Sequence, residues 1–99
     1  MNTLQDLQQW YQSECNGDWE HTYGVKIGTL DNPGWSVTIE LADTYLFGCE
    51  FSEIVRPEPE ADWIHCSVRE GKFVGYGGPF MLEEILRVFL KWAAERKTP

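Results

Sequence analysis

Cys15, His21, Cys49, His65 and Cys66 are the side chains in this chain best suited to holding a metal or acting as nucleophile and base. Zinc sites usually draw such ligands in close pairs, two from one turn or one helix face. The chain has no Cys-x-x-Cys and no His-x-x-x-His. His65 and Cys66 are neighbours in a stretch that reads as a strand, so they leave on opposite faces. The spacing therefore predicts no metal site. A Cys–His nucleophile pair could form only through the fold, since no elbow glycines and no helix start stand behind any cysteine. The run Gly75-Tyr76-Gly77-Gly78-Pro79 precedes a helical pattern but lacks the Lys-Ser/Thr of a phosphate loop. It reads as a strand-to-helix turn. The residues call for no enzymatic activity and no cofactor. Three cysteines cannot all pair with one another, and free thiols suit a reducing compartment.

The remaining candidate is the loop Asp18-Trp19-Glu20-His21. A tryptophan flanked by acids can anchor a protein interface, filling a pocket while the charges steer. It can equally fold back to cover a sheet, with Glu20 or His21 bonded to a turn. The sequence leaves both readings open.

The elements around these residues are easier to read. Residues 3–15 form an amphipathic helix with Thr3 as cap, Leu4, Leu7 and Tyr11 at helical spacing and Trp10 widening the stripe. Asn16-Gly17 ends it. Tyr23, Val25 and Ile27 alternate with Gly24, Lys26 and Gly28, and Trp35, Val37, Ile39 and Leu41 alternate with Ser36, Thr38 and Glu40. This period of two marks a hairpin with one buried face. Asn32-Pro33-Gly34-Trp35 joins its strands as a type II turn, with Gly34 at positive φ. Tyr45, Phe47, Cys49 and Phe51 predict a third strand, with a bulge at Gly48. Arg56-Pro57-Glu58-Pro59-Glu60 is a surface connection, because proline removes ladder donors. Trp63 to Arg69 and Lys72 to Tyr76 predict two more strands across a Glu70-Gly71 turn. A helix over 81–96 buries Leu82, Ile85, Leu86, Phe89, Leu90 and Ala93, with a Glu83–Arg87 pair on its surface. The expected architecture is one α+β domain over 1–99: an N-terminal helix, an antiparallel β-meander of four to five strands and a C-terminal helix packed on the sheet.

Charge narrows the class of partner. The formal net charge is −8, and residues 1–80 alone carry 13 acids against Lys26, Arg56, Arg69 and Lys72. Between Glu40 and Asp62 seven acids face one base, Arg56. Such a field disfavours nucleic acid and anionic membranes and favours a basic protein. No apolar run approaches a membrane span, and the first residues lack the basic and apolar regions of a signal peptide. The expectation is a cytoplasmic protein.

A family resemblance adds to this. Trp10-Tyr11, Cys15 to His21, Tyr23-Gly24-Val25, Thr29 to Trp35 and Gly77-Gly78-Pro79-Phe80 resemble the immunity protein 53 family of bacterial polymorphic toxin systems. The resemblance spans nearly the whole chain and is weakest from Tyr45 to Asp62. It implies a small α+β protein that binds a cognate toxin domain tightly and occludes or distorts its active surface. It carries over no catalytic residues. Many such toxins are nucleases with basic clefts, which an acidic inhibitor would be steered into. The expected contact residues are therefore Asp18, Trp19, Glu20, Glu50, Glu53, Glu58, Glu60, Asp62 and Trp63. The alternatives are a small-ligand domain and a homodimer joined through exposed tryptophans.

Overall fold

In the computed structural model, which describes residues 2–57 and 62–96, the chain runs α1 (Thr3–Glu14), α2 (Trp19–Thr22), β1 (Val25–Leu30), β2 (Gly34–Glu40), β3 (Ile54–Arg56), β4 (Ile64–Arg69), β5 (Lys72–Gly77) and α3 (Leu82–Arg96). The expected α+β class holds. Among the described residues the strands make one antiparallel sheet of order β1-β2-β5-β4-β3. Its two hairpins are β1-β2 and β4-β5, and the β2–β3 connection passes two strands to reach the far edge.

Register fixes which side chains share a face. Val37 pairs with Gly75 and Ile39 with Phe73, while Cys66 pairs with Gly75 and Val68 with Phe73. Val37, Ile39, Ile64, Cys66 and Phe73 therefore point to one side, where all are buried under α3. Gly75 is the point of closest approach, since a Cβ there would overlap the Ile85 side chain. The glycine-rich run thus lies partly inside β5 and lets a helix settle onto the sheet. Ile85, Leu86, Phe89, Trp92 and Ala93 form the buried face of α3. Trp92 joins the expected set because its indole Nε1 donates to the Glu50 carbonyl at 2.8 Å.

α1 lies parallel to α3. Thr3 Oγ1 donates to Glu83 near both helix starts (3.1 Å), and Trp10 meets Phe89 edge-on one turn or more further along (4.8 Å). Thr3 is buried in this contact and does not cap. Asn2 does, its side chain accepting from the Gln5 N–H at 3.1 Å. The Glu83–Arg87 pair forms as expected, at 3.1 Å.

Three local expectations give way to the structure. Tyr45 to Phe51 is not a strand. Thr44 Oγ1 donates to the Leu41 carbonyl (2.8 Å) and accepts from the Leu46 N–H (3.1 Å), and turn bonds Phe47 N to Thr44 O and Cys49 N to Leu46 O follow. Such local bonds displace ladder pairing. Leu46 is buried in place of its neighbours, and Phe47 is 62% exposed. The third strand forms later, at Ile54–Arg56, and stops where Pro57 begins the expected connection. In the first hairpin Leu30 pairs with Gly34, so the loop is Asp31-Asn32-Pro33, and Gly34 is not among the residues at positive φ. It is glycine because a Cβ would overlap the Gly77 carbonyl oxygen. Finally, Trp19–Thr22 is a helical turn where a loop is expected. The Glu70-Gly71 turn forms as read, with φ of 54° and 74° at its two residues.

Candidate partner-binding surface

The Asn16–Thr22 segment is a device for burying one tryptophan. Asn16 Oδ1 accepts from the N–H groups of Asp18 (2.9 Å) and Trp19 (3.0 Å). Glu20 reaches back, accepting from the N–H of Asn16 (2.9 Å) and of Gly17 (2.8 Å). The two side chains satisfy donors that a short helix start would leave open. Hydrogen bonding to backbone N–H groups, its own first and then those of Asn16 and Gly17, holds the Glu20 carboxyl below its ordinary value against a smaller opposing burial effect. Trp19 is driven inward between Trp10 and Tyr11, each ring at 5.9 Å. Its Nε1 donates to the Ala42 carbonyl at 3.0 Å, pinning the end of β2 to the helical layer. At 1% exposure Trp19 presents no surface to a partner, which corrects its reading as an anchor. Glu20 is committed to the same loop. Asp18 remains exposed beside it.

The acidic segment takes a different course. Glu50 is exposed, while its carbonyl accepts from Trp92 Nε1 and from Arg96 Nη2 (3.1 Å). Glu53 meets His65 Nε2 at 2.5 Å, with both side chains well exposed. Asp62 is exposed and Trp63 half-buried at the start of β4. Glu58 and Glu60 lie outside the described residues. Glu50, Glu53, Asp62 and Trp63 thus flank β3 and β4, whereas Asp18 and Glu20 stand near the end of β2. Three strand spacings, about 14 Å at about 4.8 Å each, separate β2 from β3. The expected contact residues form two groups.

Chemistry finds little support elsewhere in the site. His65 and Cys66 do face opposite sides of β4, and burial pushes the Cys66 thiol up to about 12, far from a reactive thiolate at neutral pH. Among the described residues no group of three or more His, Cys, Asp or Glu could hold a metal ion, and no buried side-chain N or O lacks a hydrogen-bond partner. Nor is any helix long and apolar enough to cross a membrane. The grooves are open ones. One of about 770 Å³ runs between α1 and α3 past Trp10, Tyr45 and Leu90, and one of about 430 Å³ lies between α3 and residues 50–54.

A family model described as Immunity protein 53 matches residues 4–94. The chain belongs to the immunity protein 53 family. No curated protein and no solved structure matches it.

Immunity protein 53 membership gives the 16–35 block a structural meaning. Asn16, Trp19, Glu20 and Gly34 each hold the fold together rather than face a partner. The sequence reading missed the sheet face away from the helices, where Lys26, Thr38, His65, Arg69, Lys72 and Tyr76 share one side by register. Tyr76 is 41% exposed there. Its signal was present as the polar half of each alternating strand.

Proposed function

We propose that this immunity protein neutralises a cognate bacterial toxin by binding it directly and occluding its active surface. The match to the Immunity protein 53 family over residues 4–94 carries the reading. The net charge of −8 supports a basic partner, of which a nuclease-type effector domain is the natural example. The contact surface we assign is the acidic flank of β3 and β4: Glu50, Glu53, Asp62 and Trp63, with Glu58 and Glu60 of the connecting segment. Exposed Glu50 and Asp62 make no ion pair among the described residues, so both are available to a basic partner. Asp18 is a peripheral contributor. The protein acts in the compartment where its own toxin would do harm, the cytoplasm, and does so without catalysis of its own.

The test is protection. Cells expressing the neighbouring toxin domain should survive when this chain is co-expressed. Neutralising Glu50, Glu53, Glu58, Glu60 and Asp62 together as Gln or Asn should remove that protection while the protein stays folded. Undiminished protection by the five-fold variant would move the interface elsewhere.

A further inference from the structure

The two edges of the sheet are not alike, and backbone geometry shows what the longer one offers. The Glu40 N–H donates to the Gly24 carbonyl at 3.1 Å, and these residues stand in the same register as the β1-β2 pairs. Antiparallel pairs alternate between hydrogen-bonded and non-bonded. Lys26, Gly28 and Leu30 therefore bond inward to β2, and Val25, Ile27 and Thr29 aim their N–H and C=O groups at the free edge. Among the described residues β1 pairs with β2 alone. No proline interrupts Val25–Leu30, and the helical layer stops short of it, leaving Ile27 43% exposed. Edge strands of this length and character template pairing with another chain unless charge, proline or a bulge blunts them.

We infer that β1 is a self-pairing edge, and that two copies of this chain join antiparallel about a two-fold axis at Ile27. The sequence is self-complementary in that register. Ile27 opposes Ile27 of the second copy, and Val25 opposes Thr29, so every outward N–H and C=O of the three residues finds a partner. On the helix-facing side the exposed Ile27 side chains bury each other. On the opposite side Lys26 faces Gly28, the one position without a side chain, so no like charges meet. Residues 23–30 hold one base and no acid, which removes local repulsion between two otherwise acidic chains. The product is one continuous sheet with both helical layers on the same face, leaving both β3 flanks free. The inference stands on β1 alone and does not depend on the toxin reading.

Sedimentation of the full chain at rising concentration tests it. The expected mass climbs from 11.5 kDa toward twice that value, and added salt favours the dimer by screening net charge. Ile27→Pro removes an outward donor that the single chain does not use, and should weaken the dimer by about tenfold or more. Gly28→Lys sets lysine against Lys26 and should weaken it too; its Cβ would sit 3.4 Å from Ser36 Oγ, a tolerable contact. In a Cys15→Ser, Cys49→Ser background, Ile27→Cys should oxidise to a covalent dimer, because hydrogen-bonded Cα atoms lie about 5.5 Å apart. A chain that stays monomeric at every soluble concentration overturns the inference. So does a dimer that Ile27→Pro and Gly28→Lys leave untouched, or a monomer in which Ile27→Pro abolishes toxin binding, which would make the toxin the edge's occupant.

Discussion

The β1 edge and the β3 edge end the same sheet and are built on opposite terms. β1 presents six residues without proline, acid or bulge. β3 presents three, is followed at once by Pro57, and is flanked by Glu50, Glu53 and Asp62. By the alternation that leaves Val25, Ile27 and Thr29 open on one side, Val55 and Pro57 hold the outward positions on the other, and proline has no N–H to offer. One edge is suited to recognition through the backbone, the other to recognition through charge. An acidic protein with a basic partner gains from this division, because self-association and toxin capture do not compete for one surface.

The comparison breaks most completely if the sheet no longer holds both edges in place. Trp19→Ala should do this, costing about 3–5 kcal/mol of stability by emptying the space between Trp10, Tyr11 and the Ala42 carbonyl. Chemical denaturation of the variant would measure it, and toxin binding and dimerisation should fall together. A change confined to one edge would mean that Trp19 serves only its own corner.

Neutralising the five acids of the β3 flank should come next in size. Association with the toxin at low salt should slow by about 10–100-fold. Sedimentation should be unaltered, which separates the two edges directly. Ile27→Pro should give the reverse pattern, a dimer weakened by about tenfold with toxin association unchanged.

Glu20→Gln should give the smallest effect. The native carboxyl titrates below the ordinary carboxylate value of about 4.3, so its stabilising contribution is complete above that range. It is lost as pH falls through the lower, folded value. Acid denaturation followed by tryptophan fluorescence should show the wild-type midpoint move toward neutral pH in the variant. Identical acid midpoints would exclude Glu20 as the clasp of the 16–22 loop.

These outcomes bear on how far the sequence could be read. Alternation in Trp35–Leu41 and the apolar face of 82–93 were legible, because a period shared by several residues survives local accidents. The Glu70-Gly71 turn was legible because few residues accept positive φ in succession. Tyr45–Phe51 was not. Its alternation is genuine, but Thr44 supplies turn bonds within three residues, and these outcompete a ladder that needs distant partners. Trp19 illustrates a harder case, since a tryptophan between acids looks the same as anchor or as core until Asn16, Glu20 and Ala42 are seen to hold it. The contact surface itself lacks periodicity, and charge density along 40–62 could not reveal that Glu53 and Asp62 share a flank with Glu50 while Asp18 stands apart. The free edge of β1 was hidden for another reason. It depends on which strand lies beside it, a property of topology.

The central claim, direct capture of a toxin by the charged flank, is tested most directly by a binding titration. The partner is the toxin domain encoded beside this gene, catalytically disabled, and the titration is run at low and at high salt. The account predicts nanomolar or tighter affinity, on the order of −12 kcal/mol, with association slowing as salt rises. No binding, or tight binding whose association rate ignores salt, would contradict it.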